Sequence, residues 1–194
     1  MTMAFGVGET MAAMTVDAEK GVTDRFRSMP MANGAVVLGR TVTDMIYATF
    51  GLLVMVVAGL LLGWRWHAEP GAVLAAFGLL MLLRFAMLWV GIFLGLIIPG
   101  PAALNAVWTL VFPATMVTGA FAPTETMPVW LGTLAEWNPL TATIYATREL
   151  FGNPGAGGAS FVAENALLLS VGWPILIVAV FLPLSVRRYR RLSR

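Results

Sequence analysis

Long runs of apolar residues dominate the chain, and they predict its main elements. A helix that crosses a bilayer needs about 20 mostly apolar residues. Four runs meet this requirement, at residues 46–64, 71–98, 102–122 and 166–186. Helix-breaking residues separate them, since a Pro-Gly-Pro sequence lies at 99–101 and Pro123 follows the third run. The pattern predicts four full transmembrane helices in an all-α, polytopic membrane protein.

The N-terminal segment is apolar as well, but its role is ambiguous. Residues 1–16 are too few to cross a bilayer, and they contain Glu9. They lack the basic start and the leucine-rich centre of a signal peptide. Two interpretations remain open: the segment is the end of a further span, or it is an amphipathic segment that lies on the membrane surface.

Two short helical patterns lie between the third and fourth runs, within residues 123–165. Residues 129–137 predict an amphipathic helix that stops at an Asn-Pro pair, and residues 141–151 predict a second helix with Thr141 as its candidate N-cap. Trp130 and Trp137 suit a membrane interface. Two half-helices followed by a glycine-rich loop predict a re-entrant or surface-lying hairpin, not a separate domain.

The basic residues are concentrated at two places. Four of the 12 Lys and Arg residues precede the first full span and five follow the last one, in the tail 187–194, whereas Arg65, Arg84 and Arg148 lie between. By the positive-inside rule, both basic ends are cytoplasmic. The loop 65–70 and the segment 123–165 then face outward, and the turn at 99–101 faces inward.

Composition excludes several classes of protein. The chain is 59% hydrophobic and only 11% charged, whereas about 25% of the residues of a soluble domain are charged. An ordinary soluble enzyme, a disordered tail and a secreted mini-protein are therefore excluded. The absence of cysteine excludes disulfide frameworks and thiolate metal sites. The net charge of +2 comes from a few arginine clusters and does not indicate nucleic acid as a partner.

Motifs for chemistry are missing from the sequence. No G-x-x-x-x-G-K-[ST] pattern occurs, so the chain cannot hydrolyse ATP by that route. The single histidine, His67, lies in a predicted loop and is more simply an interfacial residue than a metal ligand. Capping and solvation explain Glu136 and Glu149 more simply than acid–base catalysis does. We therefore expect no enzyme activity, no cofactor and no metal.

Arg84 is the most unusual residue within the apolar runs. It lies near the middle of the second run, where a charge costs about 2.5–3.5 kcal/mol on insertion scales. One interpretation is a contact with a substrate pathway or with an acidic residue of another helix. The other is a structural pair, or a side chain that reaches toward the interface. Two G-x-x-x-G patterns, at 59–63 and 91–95, predict helix packing inside one subunit.

Two blocks of sequence carry a resemblance to a known family. In the first, the pattern E-x-G-x-x-D-R-F-R-S-M-P-M begins at Glu19, and Leu-Gly-Arg follows at 38–40. The second comprises Phe-Pro at 112–113, Thr-Gly-Ala-Phe at 118–121, and the sequences PTETMPVWL and AEWNPLT. Together with the terminal RRYRR, these blocks resemble the permease subunits of type-2 ABC transporters, most closely the daunorubicin-resistance type of drug exporter.

The resemblance implies partners, a location and a coupling element. It implies a permease in the bacterial cytoplasmic membrane that works with an ABC ATPase subunit and a second permease copy, as a homodimer or a heterodimer. Its substrate would be an amphipathic drug, lipid or glycan. Export of a drug would typically give the cell antibiotic resistance. Residues 17–40 would form the short cytoplasmic coupling region. The expected contact residues are Glu19, Asp24, Arg25, Phe26, Arg27, Met29 and Pro30.

The chain also departs from the family. Its members have six spans, whereas this chain begins inside what resembles the second one. Residues 1–194 are thus expected to form a single transmembrane domain in which 1–16 is a partial span, and the chain is either a fragment or a shortened paralogue. The alternative function is that of a membrane scaffold or assembly subunit without transport activity. An intramembrane enzyme is disfavoured by the missing catalytic groups.

Overall fold

The computed structural model describes residues 2–19, 35–97, 100–122, 124–153 and 160–192, and within these ranges the fold is entirely helical. A 3-10 turn at Thr124–Thr126 precedes the fifth helix. The described residues form eight α-helices: α1 (Thr2–Glu19), α2 (Ala35–Leu61), α3 (Pro70–Ile97), α4 (Pro101–Met116), α5 (Val129–Glu136), α6 (Pro139–Leu150), α7 (Phe161–Glu164) and α8 (Ala166–Leu192).

Three of the predicted spans are helices that are long and apolar enough to cross a membrane. They are Leu38–Leu61 in α2, Pro70–Ile97 in α3 and Ala166–Tyr189 in α8. Much of α2 exposes large apolar side chains, as a lipid-facing helix does. The prediction of an all-α, polytopic membrane protein is thus confirmed.

The third predicted span, 102–122, is longer than the helix that the structure contains. Helix α4 ends at Met116, because a side chain replaces the backbone donors of a further turn. The Asn138 amide donates to the carbonyls of Ala114 and Val117 at 2.8 and 3.0 Å. With these carbonyls satisfied, the chain leaves the helix toward the hairpin.

Helix α1 packs with one side against α3 and α4. Val7 of α1 faces Gly91 of α3, and Met14 faces Gly95. The contacts advance in the same order along both helices, so α1 and α3 run parallel. One side of α1 is thus buried against these two helices, and its assignment as the end of a further span stays a prediction.

The two G-x-x-x-G predictions have different outcomes. Gly91 and Gly95 pack against α1 within the subunit, as expected. The pattern at 59–63 is not a packing motif, because α2 ends at Leu61 and Gly63 lies beyond it with φ +94°. A residue with positive φ directly after a helix terminates it, and glycine adopts that conformation without strain.

Helix α8 also runs parallel to α3. Leu79 shares a buried cluster with Ala166, near the start of α8, and further along both helices the rings of Phe93 and Phe181 lie 5.3 Å apart. At the end of the bundle where α3 and α8 begin, the N–H of His67 donates to the carbonyl of Phe151 at 3.0 Å. The loop after α2 and the end of α6 therefore share one end of the bundle, which agrees with their predicted common side.

The predicted hairpin is formed by α5 and α6, but the cap of its second helix was assigned to the wrong residue. Asn138, not Thr141, is the N-cap, and its Oδ1 accepts from the N–H of Leu140 at 3.0 Å. Proline at position 139 favours a helix start directly after Asn138. Thr141 is instead buried, where its hydroxyl donates to the carbonyl of Ala135 at 2.5 Å. Helix α6 packs against α3 and α8, and whether the hairpin is re-entrant or surface-lying stays a prediction.

The direction of the bundle in the membrane stays a prediction, and the absence of cysteine makes it testable. Glu69 and Arg187 are exposed residues in the loop after α2 and near the end of α8, respectively. The positive-inside rule predicts that a membrane-impermeant maleimide labels Glu69→Cys in intact cells and labels Arg187→Cys only after permeabilisation. The reverse pattern would contradict the predicted orientation.

Candidate functional site: a polar cluster between α1, α2 and α3

Arg84 forms an ion pair between two helices. Its Nη1 lies 2.8 Å from Oε2 of Glu9 in α1, and its side chain is only 5% exposed. The guanidinium passes over Gly6, where a Cβ atom would lie 2.7 Å from Arg84 Cζ. Glycine at position 6 thus provides the space through which the arginine reaches α1. The structure places Arg84 in an inter-helix contact, and its role in transport stays a prediction.

The energetics of this pair follow from its depth. Arg84 lies midway along α3, where an unpaired charge at the bilayer centre would cost about 2.5–3.5 kcal/mol. The Glu9 carboxylate neutralises that charge, although Arg84 Nε has no hydrogen-bond partner. Because this buried charge has a single counter-charge, α1 and α3 must pack so that Arg84 meets Glu9. Any arrangement that separates the two groups leaves the buried charge uncompensated.

A second polar contact ties α1 to α2. Thr10, which follows Glu9, donates from Oγ1 to Oδ2 of Asp44 at 2.7 Å. Asp44 is buried and also pairs with Arg40, with 3.2 Å between Oδ1 and Nε. We call Glu9, Thr10, Arg40, Asp44 and Arg84 the polar cluster. Its two carboxylates balance its two guanidinium groups, so that it places no net charge in the bundle.

Sequence reasoning found one member of the polar cluster and missed the rest. Glu9 entered only as an argument against a full span, and Asp44 lies just before the first predicted span. The missed signal was charge balance: Glu9 and Asp44 are carboxylates at the edges of apolar segments, and each is a candidate partner for a buried arginine. Which of them pairs with Arg84 depends on the tertiary arrangement.

The predicted coupling residues lie almost entirely outside the described ranges. Asp24, Arg25, Phe26, Arg27, Met29 and Pro30 fall within the gap at 20–34, and only the backbone of Glu19 is described, as the last residue of α1. Their assigned role therefore stays a prediction. The helices on either side are nevertheless informative. The segment joins α1 to α2, and these two helices are tied together by Thr10 and Asp44.

The described ranges contain no group of three or more side chains able to hold a metal ion. His67 is exposed in the loop after α2, and its interfacial position stays a prediction. The polar cluster is therefore the strongest candidate site in the described part of the chain. Its groups can hold helices together and can bind a charged ligand, but they are not arranged for nucleophilic catalysis.

Comparisons with known proteins extend this picture. Residues 1–151 match the family described as the ABC-2 type transporter. The chain is 32% identical over 183 residues to the daunorubicin resistance ABC transporter permease protein DrrB1 of Streptomyces coeruleorubidus, with 93% of this chain and 62% of that relative covered. It is 26% identical over 175 residues to the probable multidrug ABC transporter permease YbhR of Escherichia coli K12, with 87% and 44% covered. No solved structure gives a significant match.

Proposed function

The chain belongs to the ABC-2 type transporter family, and we propose that it is the membrane-spanning permease subunit of an ATP-driven exporter. The observation that carries this proposal is the family match over residues 1–151 of a chain whose long helices are apolar. The chain covers 62% of the length of its relative from Streptomyces. The activity of a whole exporter is therefore part of the proposal.

The proposed substrate and partners follow from the family. The names of the two relatives refer to daunorubicin resistance and to multidrug transport. For this chain we propose an amphipathic drug, lipid or glycan as the substrate. We propose that the ATPase is a separate subunit, as in the transporters whose permease subunits this chain resembles; residues 1–194 contain no Walker A pattern. A second permease copy completes the transporter in the bacterial cytoplasmic membrane, with both basic ends in the cytoplasm.

The polar cluster supports a mechanism for coupling. The segment 20–34 would dock on the ATPase, and its movement would act on the end of α1 and the start of α2 at once. Thr10 and Asp44 hold these helices to each other, while Glu9 and Arg84 hold α1 to α3. The three helices would thus move together, since close-packed protein interiors have low compressibility and transmit strain.

This proposal is tested by truncation of the expected apolar anchor. In Phe26→Ala, loss of a docked aromatic ring should cost about 2 kcal/mol or more of binding energy, which is about 30-fold in affinity. Co-purification with the ATPase should fall while membrane insertion stays normal. Phe161→Ala is the matched control, because Phe161 is an exposed phenylalanine near the hairpin, away from the coupling segment.

Two results would contradict the proposal. Equal ATPase recovery from wild type and Phe26→Ala would overturn the docking role of Phe26. Co-purification without any drug-stimulated ATPase activity or transport would favour the alternative, a scaffold or assembly subunit. The scaffold alternative is tested because the chain covers only 62% and 44% of the lengths of its two relatives.

A further inference from the structure

One face of α1 is not covered by the rest of the described chain. Thr2, Glu9 and Val16 are exposed and recur every seven residues, which places them on one side of a helix. Thr10 faces α2 on one flank, and on the other flank Trp108 of α4 lies over Gly8. We call the exposed side the open face of α1. Glu9 lies at its centre.

The depth of Glu9 limits what can cover this face. Its partner Arg84 lies midway along α3, a helix long enough to cross the membrane. The side chain of Glu9 is nevertheless 57% exposed. Charged side chains at mid-membrane depth face protein or a water-filled cavity, because contact with lipid is costly. The open face of α1 is thus expected to border an aqueous or protein-lined space.

The two members of the ion pair are unequally accessible. The guanidinium of Arg84 is buried behind Gly6, whereas the carboxylate of Glu9 is exposed on the open face of α1. A ligand that approaches the open face therefore meets a negative group first. Phe5, one turn before Glu9, lies 5.7 Å from the ring of Trp108. Aromatic rings beside a carboxylate suit a cation with an apolar or aromatic body.

We propose that Glu9 is a binding site for an organic cation, which binds the exposed side of the carboxylate while Arg84 stays paired to Oε2 behind it. Within the proposed function, this cation is the class of substrate that the permease carries, although the binding step itself requires no ATPase. The proposal has a distinctive consequence: Arg84 and the ligand share one carboxylate, and the positive charge of Arg84 weakens the attraction between that carboxylate and the ligand. Removal of the arginine charge must therefore strengthen cation binding, whereas removal of the glutamate charge must weaken it.

The test measures binding of tetraphenylphosphonium to the full chain in lipid nanodiscs, with tetraphenylborate as an anion of the same shape. Glu9→Gln should weaken phosphonium binding about tenfold or more, since it removes one member of a close charge pair. Arg84→Gln should strengthen phosphonium binding several-fold. The matched control is Glu69→Gln, which removes an exposed carboxylate from the loop after α2 and should change nothing. Tetraphenylborate binding should not weaken in Glu9→Gln.

Three outcomes would overturn the proposal. Weaker phosphonium binding in both Glu9→Gln and Arg84→Gln would show a structural ion pair only. Equal affinity of wild type for the two probes would show adsorption to apolar surface. Should Glu9→Gln fail to fold, the double variant Glu9→Gln/Arg84→Gln leaves no unpaired charge, and wild-type phosphonium affinity in it would exclude Glu9 as the site. The phosphonium binding assay contains no ATPase. A failure of the chain to co-purify with an ATPase would therefore contradict the proposed function and leave the cation-binding result unaffected.

Discussion

Gly91→Ala is expected to lower the free energy of unfolding by about 3 kcal/mol, because it forces α1 away from α3. A Cβ atom at position 91 would lie 2.6 Å from the carbonyl oxygen of Val7 and 3.0 Å from Cβ of Thr10. The first of these neighbours is backbone, which cannot move without shifting the whole helix. Insertion of atoms into a packed contact typically costs about 1–3 kcal/mol, and a backbone clash belongs at the upper end of that range.

Helix α3 supplies its own controls for this experiment. Gly78 has no atom within 4 Å of its Cβ position, so Gly78→Ala should be neutral or stabilise the helix by up to about 1 kcal/mol. Gly95→Ala should fall between the two, since its Cβ would meet Met14 Sδ at 3.2 Å and a methionine side chain adapts readily. Unfolding in a denaturing detergent gives the ranking. Equal effects at Gly78 and Gly91 would contradict the packing of α1 against α3.

The helical framework could be predicted because it depends on local composition. Apolar runs of sufficient length have one stable solution in a bilayer, so α2, α3 and α8 follow from the sequence. Helix α4 was predicted too long because its end depends on Asn138, which reaches back from the hairpin. The N-cap was misplaced for a related reason. Thr141 is a good capping residue by type, but Pro139 starts the helix earlier.

The polar cluster could be predicted only in part. Its arginine is conspicuous because a charge interrupts an apolar run, and the cost of that charge implies a partner. The choice of Glu9 depends on a parallel contact between α1 and α3, and on a glycine that leaves room for the guanidinium. Neither feature has a local signature. Thr10 and Asp44 depend in addition on how α2 lies beside α1.

The strongest test of the polar cluster is a double-mutant cycle on its ion pair. Glu9→Leu should destabilise the fold by about 3 kcal/mol, because it leaves the buried guanidinium of Arg84 uncompensated. Arg84→Leu should cost less, since the Glu9 side chain is 57% exposed and the remaining carboxylate can stay solvated. The double variant Glu9→Leu/Arg84→Leu should recover most of the loss, because replacement of both charges by apolar groups is close to neutral in other buried pairs. Thermal unfolding of the four proteins in one detergent measures the coupling energy, and strictly additive losses would show that the two side chains stabilise the fold independently.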